Sequence, residues 1–169
     1  MPSRQEHLKA AESIVARLAV VTLSDTRTEQ TDHSGRRIRE LLARDRHVVT
    51  LASIIPDDPD RLDATLRQHL ARPDVDAIIT NGGTGISRRD NTIPVVTRLL
   101  DTPLPGFGEL FRMLSWEQVG SAAMLSRAVA GVSCGKLLFS LPGSTQAVDL
   151  AMTKLILPEL RHLVRELRR

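Results

Sequence analysis

The chain has 169 residues, is 41% hydrophobic and carries only four aromatic side chains, Phe107, Phe111, Trp116 and Phe139. Its net charge of +3 comes from 20 Arg and 3 Lys against 20 acidic residues, and residues 159–169 alone (four Arg, two Glu) supply +2 of it. This length fits one domain with an aliphatic core, the lone Cys134 excludes a disulfide framework, and so few rings with so little spare positive charge argue against a nucleic-acid partner.

Residues 1–15 read as a polar N-terminal arm on a single domain spanning 1–169. They lack the apolar stretch of a secretion signal, and no run approaches the ~18 residues a membrane span needs, so a cytoplasmic chain with no membrane partner is expected. Residues 18–24 (LAVVTLS) form a buried strand that ends in Ser24-Asp25. Over 34–46, Ile38, Leu41 and Leu42 fall at helical spacing. Residues 47–55 are a second strand, leading into Pro56-Asp57. Asp58 before Pro59 is a cap and first turn for a helix with Leu62, Leu66 and Leu70 on one face. A third strand, 75–80, runs directly into Asn81-Gly82-Gly83-Thr84-Gly85. A helix over 92–100 is broken by Asp101 to Gly106; residues 107–114 are helical and 121–127 are a further helical candidate. Strands at 128–133 and 137–141 follow, and Pro142-Gly143-Ser144 opens a long terminal helix. Strands alternating with helices predict right-handed crossovers and an α/β fold with a mainly parallel sheet.

In such sheets ligands bind beyond the carboxyl ends of the strands. Four polar segments fall there: Ser24-Asp25, Pro56-Asp57, Asn81 to Asp90, and Pro142-Gly143-Ser144. Three glycines in four positions let a backbone turn sharply and come close to a ligand, and successive amides with the Thr84 hydroxyl can cradle an anion. Asp90 reads either as the cap of the next helix or as a ligand-binding carboxylate; Asp57 is freer of the capping role, because Asp58 is better placed for it. Two carboxylates beside a phosphate-type loop suggest phosphoryl chemistry assisted by Mg2+. Pro142-Gly143-Ser144 is a second anion-site candidate or a simple cap, and Ser126-Arg127 offers a cation. The five histidines show no zinc-type spacing with a carboxylate, and Cys134 reads as a small core residue.

Taken together, several segments resemble the molybdenum cofactor biosynthesis family of MoaB and MogA: Ser24-Asp25-Thr26-Arg27-Thr28 with Asp32-His33-Ser34-Gly35, Ile55-Pro56-Asp57-Asp58, Asn81 to Gly85 with Arg89-Asp90-Asn91-Thr92, Pro105-Gly106-Phe107-Gly108-Glu109, Leu125-Ser126-Arg127-Ala128, and Leu141-Pro142-Gly143-Ser144. They run in family order over about residues 16–160, and the first is closer to MoaB than to MogA. The resemblance implies a three-layer α/β/α molybdopterin-binding fold and a homo-oligomer, trimer or hexamer. It implies molybdopterin as ligand and, in active members, transfer of an adenylyl group from ATP to the pterin's terminal phosphate with Mg2+, releasing pyrophosphate. Asp57 and Asp90 match the family's acidic positions and are the expected catalytic and Mg2+-holding residues. Ser24, Asp25, Asn81, Gly82, Gly83, Thr84, Gly85, Ser126, Arg127, Pro142, Gly143 and Ser144 are the expected binding residues. Asn81 stands where the family has Thr or Gly, and Pro94 stands where it has Glu; the latter leaves open a non-catalytic molybdopterin-binding or carrier protein. Phe107, Phe111 and Trp116 cluster in one segment, which reads equally as core or as subunit interface.

Overall fold

The computed structural model describes residues 13–169, so all but residues 13–15 of the expected N-terminal arm lie outside the described residues. The chain enters through β1 (Arg17–Leu23), α1 (His33–Arg44), β2 (Val48–Ile55), α2 (Pro59–Leu70), β3 (Ala77–Asn81) and α3 (Thr92–Leu99). It continues through the two-residue β4 (Thr102–Pro103), α4 (Pro105–Val119), a 3-10 turn (Gly120–Leu125), the hairpin β5 (Val129–Ser133) and β6 (Lys136–Leu141), α5 (Thr145–Ala151), a π turn (Met152–Ile156) and α6 (Leu157–Leu167). The six strands make one sheet in the order β2-β1-β3-β6-β5-β4, parallel from β2 to β6 and antiparallel at β5 and β4.

Side chains alternate across this sheet as its period of two requires. Leu18, Val20, Ile79, Leu137 and Phe139 point to one face, where Ile38 and Leu42 of α1 and Val148, Leu160 and Val164 near the C-terminus cover them. Ala19, Val21, Ile78 and Leu138 point to the other, under Leu62, Leu66 and Leu70 of α2 and Val95, Val96 and Leu99 of α3. The result is the expected three-layer α/β/α arrangement. The chain leaves β1 on one side to reach β2 and returns past it to reach β3 on the other. That reversal opens a crevice between the carboxyl ends of β1 and β3, where α/β sheets place their ligands.

Local chemistry sets the helix starts. The Asp32 carboxylate accepts from Gly35 N at 3.0 Å to cap α1, and Asp58 accepts from Arg61 N at 2.7 Å to cap α2. Three expectations change. Phe111 is fully buried and the partly buried Phe107 ring packs on Phe139 with centroids 5.5 Å apart, which favours the core reading for both; their i, i+4 spacing turns one stripe of α4 to the sheet. Trp116 lies off that stripe and is 62% exposed. Cys134 is exposed in the turn between β5 and β6 rather than in the core; with Gly135 it takes positive φ (50° and 71°), the left-handed pair that closes a two-residue hairpin. The terminal helix is interrupted by its π turn just before Pro158, which cannot supply the amide that a regular helix would need there. Among the described residues no helix is long and apolar enough to cross a membrane.

Candidate functional site

Hydrogen bonds draw the four polar segments onto the β1–β3 crevice. Ser24 N donates to Ile55 O at 2.9 Å, Asp57 N donates to Asp25 Oδ1 at 3.0 Å, and Gly82 N donates to Leu141 O at 3.1 Å. The glycine loop takes left-handed angles at Gly82 (φ 101°) and Gly83 (φ 62°), which glycine adopts without steric cost. The loop also lies too close to its neighbours for side chains. A carbon added at Gly83 would sit 2.7 Å from Asp57 Oδ1, one at Gly85 would sit 2.7 Å from Asp90 Oδ2, and one at Gly143 would sit 3.1 Å from the Gly82 Cα. Asp57, Asp90 and the Pro142-Gly143 turn therefore all abut one short loop.

The electrostatics differ between the two carboxylates. Loss of hydration raises the Asp57 carboxyl above its ordinary range; the charges of Asp90 and Asp25 add to the rise, and Arg89 opposes it. Asp90 is held below its ordinary range by hydrogen bonding at Ser87, whose amide donates to Oδ2 at 2.8 Å, and by the Gly85 backbone. Asp90 thus closes the turn over 85–90 and does not cap α3, whose cap position is Asn91. The Gly82 amide is used in the bond to Leu141 O, so an anion held by this loop would fall to the amides of Gly83 and Thr84. Arg127 Nη1 donates to Gly85 O at 2.8 Å, which joins Ser126-Arg127 to the same loop. Arg89 Nη1 lies 3.8 Å from Asp25 Oδ2.

Asn81 has a different place from that of a ligand donor. It is fully buried, accepts from Ser34 Oγ at 2.8 Å and donates to Thr22 Oγ1 at 2.9 Å. Thr22 in turn donates to Asp32 at 2.8 Å. Asn81 therefore ties β3 to β1 and α1 from beneath the loop. Ser24 Oγ likewise accepts from the amides of Thr26 and Arg27 (3.2 and 3.0 Å) and shapes its own turn. Ser144 Oγ caps α5 by accepting from Ala147 N at 3.1 Å. Arg27, assigned no role of its own from the sequence, is central: Nη1 donates to Ser34 Oγ at 2.6 Å and Nη2 to Gly143 O at 2.9 Å. No local signal singles it out, because Gly143 lies 116 residues away.

Among the described residues no group of three or more His, Cys, Asp or Glu converges to hold a metal ion. A cation bound here would rely on two carboxylates and on oxygens from a ligand, the usual arrangement for Mg2+. The donors fit it: Asp57 and Asp90 are hard oxygen ligands, and the Thr92 hydroxyl, buried without a hydrogen-bond partner, faces Gly83 beside Asp57 Oδ1.

Residues 19–162 match the model of a family described as a probable molybdopterin binding domain. The chain belongs to this family. Within it the similarity runs to the MoaB branch. Molybdenum cofactor biosynthesis protein B of Halalkalibacterium halodurans is 51% identical over 166 residues, covering 98% of this chain and 97% of the relative. A crystal structure of a molybdenum cofactor biosynthesis protein B superposes with a TM-score of 0.90 at 52% identity, over 92% of this chain and 98% of that one. The tungsten cofactor synthesizing protein MoaB of Pyrococcus furiosus superposes with a TM-score of 0.82 at 36% identity, over 92% and 98%. The molybdopterin-binding family is thus the frame in which Asp57, Asp90 and the glycine loop are to be read.

Proposed function

We propose that this chain works in molybdenum cofactor biosynthesis by binding molybdopterin and adenylylating its terminal phosphate with ATP and Mg2+, releasing pyrophosphate. The pathway rests on family membership and on half-identity, over nearly the whole chain, to proteins named for it. The chemistry rests on one observation: two carboxylates, Asp57 and Asp90, abut opposite ends of a left-handed glycine loop. In the reaction an oxygen of the pterin phosphate attacks the α-phosphorus of ATP in line, a new P–O bond forms, and the bond to the β-phosphate breaks as pyrophosphate leaves. The amides of Gly83 and Thr84 hold a phosphate oxygen, Asp57 and Asp90 would hold the cation, and the Arg127 bond to Gly85 keeps the loop in place. Mg2+, when bound, neutralises charge on the bridging phosphates. Most of the acceleration comes from fixing the two phosphates against each other.

The test is pyrophosphate release from ATP, Mg2+ and molybdopterin by the purified protein. Wild type turns over, and Asp57→Asn or Asp90→Asn loses about 10²–10³-fold, the usual effect of removing one charge-stabilising group. Wild-type protein that yields no adenylylated pterin overturns the assignment. One feature favours a second reading, a non-catalytic carrier: Pro94, exposed in the first turn of α3, stands where the resemblance puts Glu. A carrier binds molybdopterin in the same assay and releases no pyrophosphate. The proposed form is a homo-oligomer, supported by an apolar face on α4 and the 3-10 turn, where Met113, Trp116 and Met124 are 57%, 62% and 78% exposed.

A further inference from the structure

At the amino edge of the sheet, the far side from the crevice, the chain enters β1 beside a buried histidine. Asp45, Arg46 and His47 carry the chain from α1 to β2, with Arg46 in the left-handed region (φ 64°). The turn sets His47 inside the fold, where none of its side chain meets solvent. His47 Nδ1 accepts from the Ala16 amide at 3.0 Å, and Val48 N donates to Ala16 O at 2.9 Å. Ala16, itself fully buried, is thereby held on both sides just before β1 begins. A backbone amide only donates, so Nδ1 carries no proton and the neutral ring is the Nε2–H tautomer. Nε2 lies 3.1 Å from Asp45 Oδ2 without the alignment of a hydrogen bond. That carboxylate is already taken by Arg161 of α6, which bonds both Asp45 Oδ2 and Asp45 O. The charged groups facing the ring are thus one acid and one base, bonded to each other; Arg17, beside Ala16, spends its guanidinium on Asp76. Burial first, and then the Arg161 charge, hold the imidazole below its ordinary range, and Asp45 opposes them.

We propose that His47 is an acid-operated catch on the start of the fold: one proton taken up from solvent at Nδ1 releases Ala16, and residues 13–16 come away from the α1–β2 turn while the sheet stays formed. A second proton on this ring has one place to go. At Nδ1 it faces the Ala16 N–H, donor against donor, and the bond that fastens Ala16 is lost. Solvent reaches the ring only in the released state, so proton uptake and release are one event. The sign follows from linkage. Above the ordinary histidine range the ring is neutral in both states and the catch is closed. Below it the released state binds the proton more tightly, so release becomes about tenfold more frequent per pH unit until the folded value is reached. Nothing in the catch depends on the reaction proposed above.

The test is amide hydrogen exchange of the full chain between about pH 8 and pH 5, where histidine titrates. Exchange is expressed as protection relative to the unfolded rate at each pH, and NMR of the imidazole follows the proton on His47. The wild type is compared with His47→Asn, whose side-chain oxygen stands near the Nδ1 position and accepts from the Ala16 amide without titrating. In the wild type, protection at Ala16 falls by about tenfold or more across this range, in step with proton uptake by His47. The β6 strand (Lys136–Leu141) keeps its protection throughout. In His47→Asn, Ala16 keeps its protection across the range. Protection that stays flat in the wild type, that falls equally in His47→Asn, or that is lost together with β6 overturns the proposal. Should His47→Asn fail to fold, the wild type decides alone: loss of protection at Ala16 at the pH where His47 takes up its proton supports the catch, and loss at any other pH, or a protonated His47 with Ala16 still protected, overturns it.

Discussion

In the proposed reaction Asp57 carries two opposed demands: it is to be ionised to hold a cation, yet its surroundings disfavour the charge. Lost hydration first, and then the neighbouring Asp90 and Asp25 carboxylates, raise it above the ordinary carboxylate range. The sign follows directly. A raised acid takes up its proton at higher pH than an ordinary one, so the acid limb of the proposed turnover lies at higher pH than an unperturbed carboxylate would set. Asp25→Asn removes one repelling charge while an amide oxygen still accepts from Asp57 N, so its acid limb shifts to lower pH; a pH–rate profile of the two proteins reads this, and an unmoved limb contradicts it. The same raised value means the folded chain holds this proton more tightly than the unfolded chain does, and that contribution disappears as pH rises through the folded value. Asp57→Asn is therefore expected to melt no lower than wild type at pH 7 while losing turnover, which separates a functional carboxylate from a structural one. At this scale the sequence was only partly legible. Asp57 and Asp90 stood out because each sits in a turn after a strand. The roles of Asn81 and Arg27 did not, because their partners are distant in sequence and a polar residue at a strand end looks the same whether it faces ligand or core.

The elements were easier to read than their ends. Aliphatic spacing in α1, α2 and α3 and the β-branched strands gave the layers, since each pattern has one face to bury. Two features escaped. β4 is two residues long, too short for any period, and exists only because β5 offers it an edge. The π turn answers Pro158 within an otherwise helical run, which apolar spacing does not register. The β5–β6 turn shows what local geometry asks of a residue. Cys134 holds φ 50° although it is not glycine, and Asn tolerates that conformation better. Its amide donates to Asp101 Oδ2 at 2.6 Å, a bond that any side chain leaves intact. Cys134→Asn is expected to raise the melting temperature by a degree or more and to remove the exposed thiol, both measurable by thermal melts and thiol titration; a lower melting temperature refutes the turn argument.

For the whole molecule, the glycine-loop edge and the exposed apolar face lie on connected parts of the chain. Met124 and Leu125, 78% and 53% exposed, lie just before Ser126-Arg127, and Arg127 grips the glycine loop through Gly85 O. If copies of the chain pair through this face, as proposed, then Trp116→Glu or Met124→Glu lowers the mass measured by light scattering to that of one chain. Each also loosens the loop enough to raise the KM for ATP. A variant that stays assembled argues against this face.

The bonds that build the crevice span long stretches of chain: Arg27 to Gly143 across 116 residues and Gly85 to Arg127 across 42. Closing contacts of such separation costs chain entropy before they return any stabilisation, which slows folding. The loop can take its working shape only after β6 has docked beside β3 and brought Leu141 and Gly143 with it. A nascent or truncated chain that ends before β6 lacks both Leu141 and Gly143, and so presents its carboxylates and glycines without the bonds that seat the loop.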